Sequence, residues 1–369
     1  MSQKKIKVDK FFLVLTLILL ITGVAVFVSA TLGILPKSEK TFYNVLISQL
    51  VMGLGMGMVG MYLAYKIDFK FWRKNAFWIL LGSILLTAAV FIPGLGMSHG
   101  GAQRWIDLGP VSFQPVEILK FGFIIYFAAW LSWAKHKVED FKFGILPFAI
   151  LLSIIAFVLL KQPDTKSFIL ISITGLCMLF ASGVRMKYIL GMGVLAVVML
   201  GIVVSVTPYL QKRVKTFIDP SGDARGASYQ IQQSMIAIGS GGVFGRGYGQ
   251  SIQKFSYLPE PQGDSVFAVV GEELGFVGSI IIILLYLAFI LKGVSIANHS
   301  PDPFSRLLVF GIVILIGAQS FLHIASVIGV FPLTGVPLVF MSHGGTSLMI
   351  DLAAVGIVLQ ISKFQTKKL

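Results

Sequence analysis

FFLVLTLILLITGVAVFVSATL, Phe11–Leu32, is a run without a single charge, and it follows a start that carries Lys4, Lys5, Lys7 and Lys10. At about 1.5 Å per residue, such a run forms a helix long enough for the roughly 30 Å hydrocarbon layer of a bilayer. It lacks a clear small-x-small cleavage site before Lys37, so it reads as a retained span and not as a removed leader. Nine further runs of the same kind follow at about 44–65, 75–94, 115–134, 143–160, 167–183, 187–208, 265–291, 307–330 and 346–362. The strands of a membrane barrel would alternate apolar and polar residues, and these runs do not. Composition agrees. The 369 residues are 56% hydrophobic and 12% charged, with a mean hydropathy of +0.87. Soluble domains carry about 25% charged residues. A soluble enzyme and a disordered chain are both excluded. Cys177 is alone, so there is no internal disulfide, and no Cys/His spacing suits zinc.

The 30 basic residues against 16 acidic ones orient the runs. With a cytoplasmic N-terminus, eighteen Lys and Arg fall in inside segments, five in short outside segments and six in the long loop between spans seven and eight, while Lys120 lies within span four. The expected fold is therefore an all-α polytopic membrane protein. It is one domain over 1–369, with ten transmembrane helices, both termini cytoplasmic and an extracytoplasmic loop at about 209–264. Neither a 20–50-residue repeat nor the inverted halves of a transporter is visible. The basic excess is explained by sidedness and lipid head groups, and nucleic acid is not an expected partner.

The unusual polar sequence falls on the outside: Met97–Pro110 running into Phe113–Glu117, the long loop, and Phe331–Pro337 through Ser342–Ser347. In the long loop, Tyr229–Ile238 is amphipathic and reads as an interfacial helix. The glycines from Gly239 to Gly249 read equally as a flexible turn or as backbone that must approach a ligand closely. Ser251-x-x-Lys254 lacks the partner motifs of penicillin-binding enzymes and carries no weight. Four carboxylates fall inside spans, where ionisable groups are costly. Glu117 and Lys120 are three apart and can pair. Glu272 and Glu273 point about 100° apart, so they suit capping or packing with separate partners. Asp351 is ambiguous. Asp264 follows Pro259, Pro261 and Gly263 at the start of span eight. It reads as an N-cap or as a general base at a cavity mouth, and the residues alone favour the cap.

Taken together, these residues resemble the SEDS family of cell-wall polymerases (shape, elongation, division and sporulation proteins). The likeness runs over nearly the whole chain. It rests on Asp9, Ser29-Ala30, Gly101–Ile106, Phe113–Glu117 with Lys120, Gln162–Asp164, Arg213 with Phe217–Pro220, and Gln233–Gly242. Tyr257–Glu260 with Asp264, Gly271–Gly275, Gly335 and Ser342–Ser347 complete it. Gly249-Gln-Ser and Lys254–Glu260 look more like the division (FtsW) type than the elongation (RodA) type, whereas Gly101–Trp105 looks somewhat like the latter. His343, Thr346 and Pro261–Gly263 depart from the family pattern.

The resemblance implies a peptidoglycan glycosyltransferase in the bacterial cytoplasmic membrane. Such an enzyme joins lipid II units into β-1,4 glycan at the outer face. Its partners would be a class B penicillin-binding protein and other divisome or elongasome membrane proteins. The family's essential acid corresponds to Asp264, which reverses the preference for a cap. Arg104, then Lys120 and Arg213, become the residues for the diphosphate, with Glu260, Gln233 and Ser234 also at the substrate. Gln114, Glu117, Ser342, Gly344 and Gly345 would shape the cavity. A divalent cation, Mg or Mn, is compatible with this chemistry, with Asp264 or Glu260 as ligand; no other cofactor is expected. A flippase or transporter of the lipid-linked precursor, and a scaffold that recruits a division synthase, are the competing classes.

Overall fold

The computed structural model describes residues 8–99, 102–107, 112–219 and 227–365. Lys4, Lys5, Lys7, Lys367 and Lys368, counted above for sidedness, and Gly101 and Pro220 of the motifs lie outside the described residues. The principal helices are α1 (Lys10–Thr31), α2 (Glu39–Lys66), α3 (Ala76–Ala88), α4 (Pro115–Ala134), α5 (Ile145–Lys161) and α6 (Thr165–Ser182). They continue with α7 (Met186–Val206), α8 (Pro208–Ile218), α9 (Ala227–Ser240), α10 (Val266–Asn298), α11 (Pro303–Val327) and α12 (Gly345–Ile361). Among the described residues, eight helices are long and apolar enough to cross a membrane. Two shorter apolar helices, Ala76–Phe91 and Ile145–Lys161, lie where the third and fifth spans were expected. The chain is an integral membrane protein of mostly helical architecture.

Local chemistry sets the helix ends. Asp9 accepts from Phe12 N at the start of α1, Asp164 accepts from Ser167 N at the start of α6, and Asp302 forms a capping box with Ser305 before α11. Helix α6 stops at Gly183, whose φ of 90° is left-handed. Small residues let helices touch where lipid offers no hydrophobic drive. A Cβ on Gly57 would lie 3.1 Å from Met349 Cα, so α2 and α12 meet almost backbone to backbone. The buried core centres on α4, α11 and α12. Helix α7 contributes no buried residue and stands at the edge of the bundle.

Three features depart from the sequence reading. The all-α expectation misses a small antiparallel sheet, β1 (Gly96–His99), β2 (Ala102–Asp107) and β3 (Ser112–Phe113). Along β2, Ala102 and Ile106 are buried while Gln103 and Asp107 are exposed; the strand is too short for that period to register in a window set for spans. The stretch read as a long loop holds two principal helices, α8 and α9, and a single helical turn at Gln253–Ser256. Helix α9 is not simply interfacial: Ile231, Ser234 and Ala237 are buried, and it packs against α10. Finally, α10 breaks at Gly275 (φ 68°, ψ −164°).

The glycine run explains the break. Backbone groups freed inside a membrane protein must be satisfied by protein. Arg246 N and Gly247 N donate to the carbonyls of Glu272 and Glu273 at 2.9 and 3.0 Å, and Phe276 N and Val277 N donate to those of Gly242 and Val243 at 2.9 and 3.1 Å. Gly245, left-handed at φ 80°, has no room for a Cβ against Glu273 O. The glycines are therefore neither a loose turn nor a ligand loop. They splice a segment of backbone into the gap in α10, and that splice fixes the half of α10 next to Asp264.

Candidate active site

The turn before α10 follows from its prolines. Pro259 and Pro261 stop any helix, Glu260 takes a left-handed φ of 45°, and its carbonyl accepts from Gly263 N (2.9 Å) and Ser265 N (3.2 Å). Helix α10 begins at Val266 with Ser265, not Asp264, at the N-cap position. The side chain of Asp264 makes no hydrogen bond to any described residue, so capping is not its role. A second loop, 331–344, is stapled to this turn. Ser342 Oγ donates to Gly263 O at 2.9 Å and accepts from Leu338 N at 2.9 Å, while His343 N donates to Gln262 O at 2.7 Å. Gln49 of α2 clamps both sides of His343, donating to Ser342 O and accepting from Gly344 N. Gly335 has a φ of 65°, and a Cβ there would lie 3.1 Å from Asp264 Oδ2 and 3.9 Å from Arg213 Nη2. The missing side chain leaves Asp264 open on that side.

Asp264 lines a cavity of about 790 Å³ together with Arg104, Lys166, Arg213, Glu260, Gln114, His343, Gly344, Gly345 and Ser347. Three cations thus face two carboxylates. Arg104 reaches it from β2, with Nε donating to Gln162 O at 3.2 Å and Nη2 to Pro163 O. Lys166, at the start of α6, donates to Gly335 O. Arg213 reaches it from α8, with Nη1 on Leu333 O at 2.6 Å. Three buried polar atoms of lining residues, Gln114 Nε2, Gln262 Oε1 and His343 Nε2, lack a partner among the described residues and are suited to a ligand rich in hydroxyls and amides. Burial pushes the His343 imidazole below its usual range, which favours its neutral form.

Of the residues read from sequence, Asp264, Glu260, Arg104, Arg213, Gln114, Gly344 and Gly345 come together here. Ser342 supports the wall by its hydrogen bonds. Lys120 was expected at the substrate and is not: it is buried in the bundle, paired with Glu117 at 2.7 Å and donating to Gln319 at 2.9 Å. Helical spacing foretells that pair but not its depth. Gln233 and Ser234 also lie away from the lining, because Ser234 turns into the packing of α9. Lys166 was missed. Its signal was its place two residues after the Gln162-Pro-Asp164 motif.

Glu260 is exposed to solvent, yet protein crowds part of its carboxyl. That desolvation, helped by the neighbouring charge of Asp264 and opposed by Lys37, raises its pKa above the usual glutamate value. The folded chain therefore holds this proton more tightly than the unfolded one, and Glu260 costs stability as pH rises from its unfolded through its folded pKa. In Glu260→Gln that part of the fall disappears. Melting of the detergent-purified protein from about pH 4 to 8 checks this, and parallel curves for both proteins would refute it.

Beside the cavity, a second cleft of about 240 Å³ runs between α5, α6 and α7. Its walls are almost wholly apolar, among them Phe148, Leu152, Phe168, Leu176, Met199 and Leu200, and Thr165 belongs to both spaces.

Known proteins resemble this chain in sequence and in fold. A family model described as a cell cycle protein, FtsW/RodA/SpoVE, matches residues 9–367. A probable peptidoglycan glycosyltransferase FtsW of Geobacter sulfurreducens is 42% identical over 309 residues, covering 84% of this chain and 82% of that protein. Stage V sporulation protein E of Bacillus subtilis is 34% identical over 366 residues, 99% of each. Among solved structures, a chain from work on coordination of polymerization and crosslinking by a peptidoglycan synthase complex superposes with a TM-score of 0.80 at 25% identity, over 98% of this chain and 99% of that one. Rod shape determining protein RodA of Thermus thermophilus shares the fold, with a TM-score of 0.66 at 24% identity over 95% of this chain and 97% of that one.

Proposed function

The chain belongs to the FtsW/RodA/SpoVE family, and on that premise we propose that it is a peptidoglycan glycosyltransferase that extends glycan from lipid II at the outer face of the cytoplasmic membrane. The observation that carries this reading is the cavity that gathers Asp264 with Arg104, Lys166 and Arg213. Asp264 takes the proton of the acceptor hydroxyl as its oxygen attacks the anomeric carbon. The diphosphate leaves from the opposite face, so one displacement turns an α-linked donor into a β-linked product without a covalent nucleophile. The three cations stabilise the charge that grows on the departing oxygen, and guanidinium forks suit phosphate geometry. The apolar cleft that meets the cavity at Thr165 is suited to a polyprenyl tail. Asp264 and the neighbouring Glu260 form an oxygen donor set that suits Mg²⁺ or Mn²⁺; such an ion would supply Lewis-acid neutralisation of the diphosphate.

Several features support the finer placement. Ten apolar helices with Lys66, Lys70, Arg73 and Lys74 among the residues joining the second to the third favour cytoplasmic termini. The relatives named FtsW favour division over elongation, and a class B penicillin-binding protein is the proposed cross-linking partner. The test is incubation of the purified protein with lipid II, with and without that partner. Glycan polymer is expected. Lipid II crossing vesicle membranes with no polymer in either arm would favour a transporter and overturn the proposal.

A further inference from the structure

Under the cavity lie a base and two acids that this mechanism does not use. On α4, Lys120 Nζ is 2.7 Å from Glu117 Oε2, and it also donates to Gln319 Oε1 of α11. On α12, Asp351 is 2% exposed, and its hydrogen-bond partner is the Ser347 hydroxyl, 3.2 Å from Oδ2. The same hydroxyl lies 3.1 Å from Glu117 Oε2. A serine hydroxyl has one proton to give. It can donate to one of these carboxyl groups, and the other contact is favourable only if that carboxyl group donates in return.

Lys120 decides which one does. Its ammonium sits on Glu117, so Glu117 is the ion. Asp351 has no cation within ion-pair distance among the described residues. Buried with one hydroxyl, it is far costlier ionised than neutral. The other elements packed around it supply no counter-charge. Helix α10 brings the Tyr286 phenol, which donates to Val339 O. Helix α2 faces this level of α12 with Gly57, near Met349 and Leu352, while Lys66 lies more than two turns further on. Helix α11 brings the neutral Gln319 and, one turn further, the buried His323, whose Nδ1 is engaged by Val336 O at 2.7 Å.

We infer that Asp351 is a neutral carboxylic acid that donates to Ser347, and that Ser347, which lines the cavity, delivers this proton to the leaving diphosphate. The inference rests on the polymerase reading for its second half only. The acceptor O–H gives its proton to Asp264 while the new C–O bond forms and the anomeric bond to the diphosphate breaks. Ser347 turns its proton from Glu117 to the departing oxygen and takes that of Asp351, and Asp351 is left ionised until solvent returns one proton. Asp264 releases the one it gained. Asp351 acts through Ser347 and so is a positioning and proton-storing residue.

Infrared difference spectra of the purified full-length protein at neutral pH test the first half. A carbonyl band of a protonated carboxylic acid is expected in the wild type and in Glu260→Gln, and its loss is expected in Asp351→Asn. No such band in the wild type, or the same band in Asp351→Asn, overturns the inference. The second half is read from lipid II polymerisation against pH. Asp351→Asn keeps a donor for Ser347 but cannot release a proton, so about a tenfold or greater loss of kcat is expected, with a flattened alkaline limb. A wild-type rate and profile in this variant would overturn the delivery step. A wild-type protein that shows the band but forms no polymer would instead sink the polymerase reading and leave the neutral acid standing.

Discussion

Asp264→Asn is expected to lower lipid II polymerisation about 10²–10⁴-fold, the usual contribution of a general base, with little change in melting temperature. The separation of the two effects follows from the geometry. Asparagine caps a helix about as well as aspartate, so the substitution would not cost a cap in any case. Here Ser265 holds the N-cap position, and the Asp264 side chain makes no hydrogen bond to a described residue. Asparagine fills the same space beside Gly335, whose absent side chain leaves room around the carboxylate. Only the charge and the basicity change. Glu260→Gln serves as the comparison, since it removes the neighbouring carboxylate of the same cavity and is expected to retain more activity. Measurement needs purified protein with its partner, polymer length on gels, and melts of the same preparations. Wild-type polymerisation by Asp264→Asn would move the base elsewhere. An unfolded variant would return Asp264 to a structural role.

Asp264 is legible in the sequence, but the residues alone favour a helix cap, and only the family resemblance points to a base. Uncharged runs such as Phe11–Leu32 are long enough to read singly, and a helix occupies every stretch so read. The cap reading failed because α10 starts one residue later than expected: Ser265 takes the N-cap position, without a capping hydrogen bond and with its Oγ donating to Pro259 O, a detail of backbone path. Lys120 failed by depth. Its spacing from Glu117 gives the pair, but only the packing of α4 against α11 and α12 tells that the pair lies behind the lining residue Ser347 and does not itself line the cavity. The glycine run failed by range. Gly242 and Gly245 are explained by Phe276 and Glu273, some thirty residues away, and no local pattern announces a break in α10. Lys166 failed because a basic residue in a short loop was counted as topology before it was considered as chemistry.

The other large effect is expected from Lys254→Met. Lys254 is fully buried, and its ammonium contacts Glu273 Oε1 at 2.6 Å, Gly249 O at 2.9 Å and Ser29 Oγ at 3.0 Å. Glu273 in turn accepts from Ser29 Oγ, Gly249 N and Ser251 N, and so anchors the spliced segment to α1 and α10. Methionine fills the alkyl volume but leaves a buried carboxylate without its cation, which costs about 3–5 kcal/mol. Glu272 does not compensate: it points to another side, toward Arg246 and Ser251. Lys254→Arg is not expected to rescue, because a planar fork replaces a compact ammonium already held by three partners, Glu273, Gly249 and Ser29, in a fully buried space. The double variant Lys254→Met with Glu273→Gln removes both charges and is expected to recover a large part of the loss, since replacing a buried pair is far cheaper than breaking one. Melting in detergent and size-exclusion profiles of the single and double variants measure this. Equal instability in both would mean that the hydrogen bonds of Glu273 to the segment, and not its charge balance, hold α10 together at the Gly275 break.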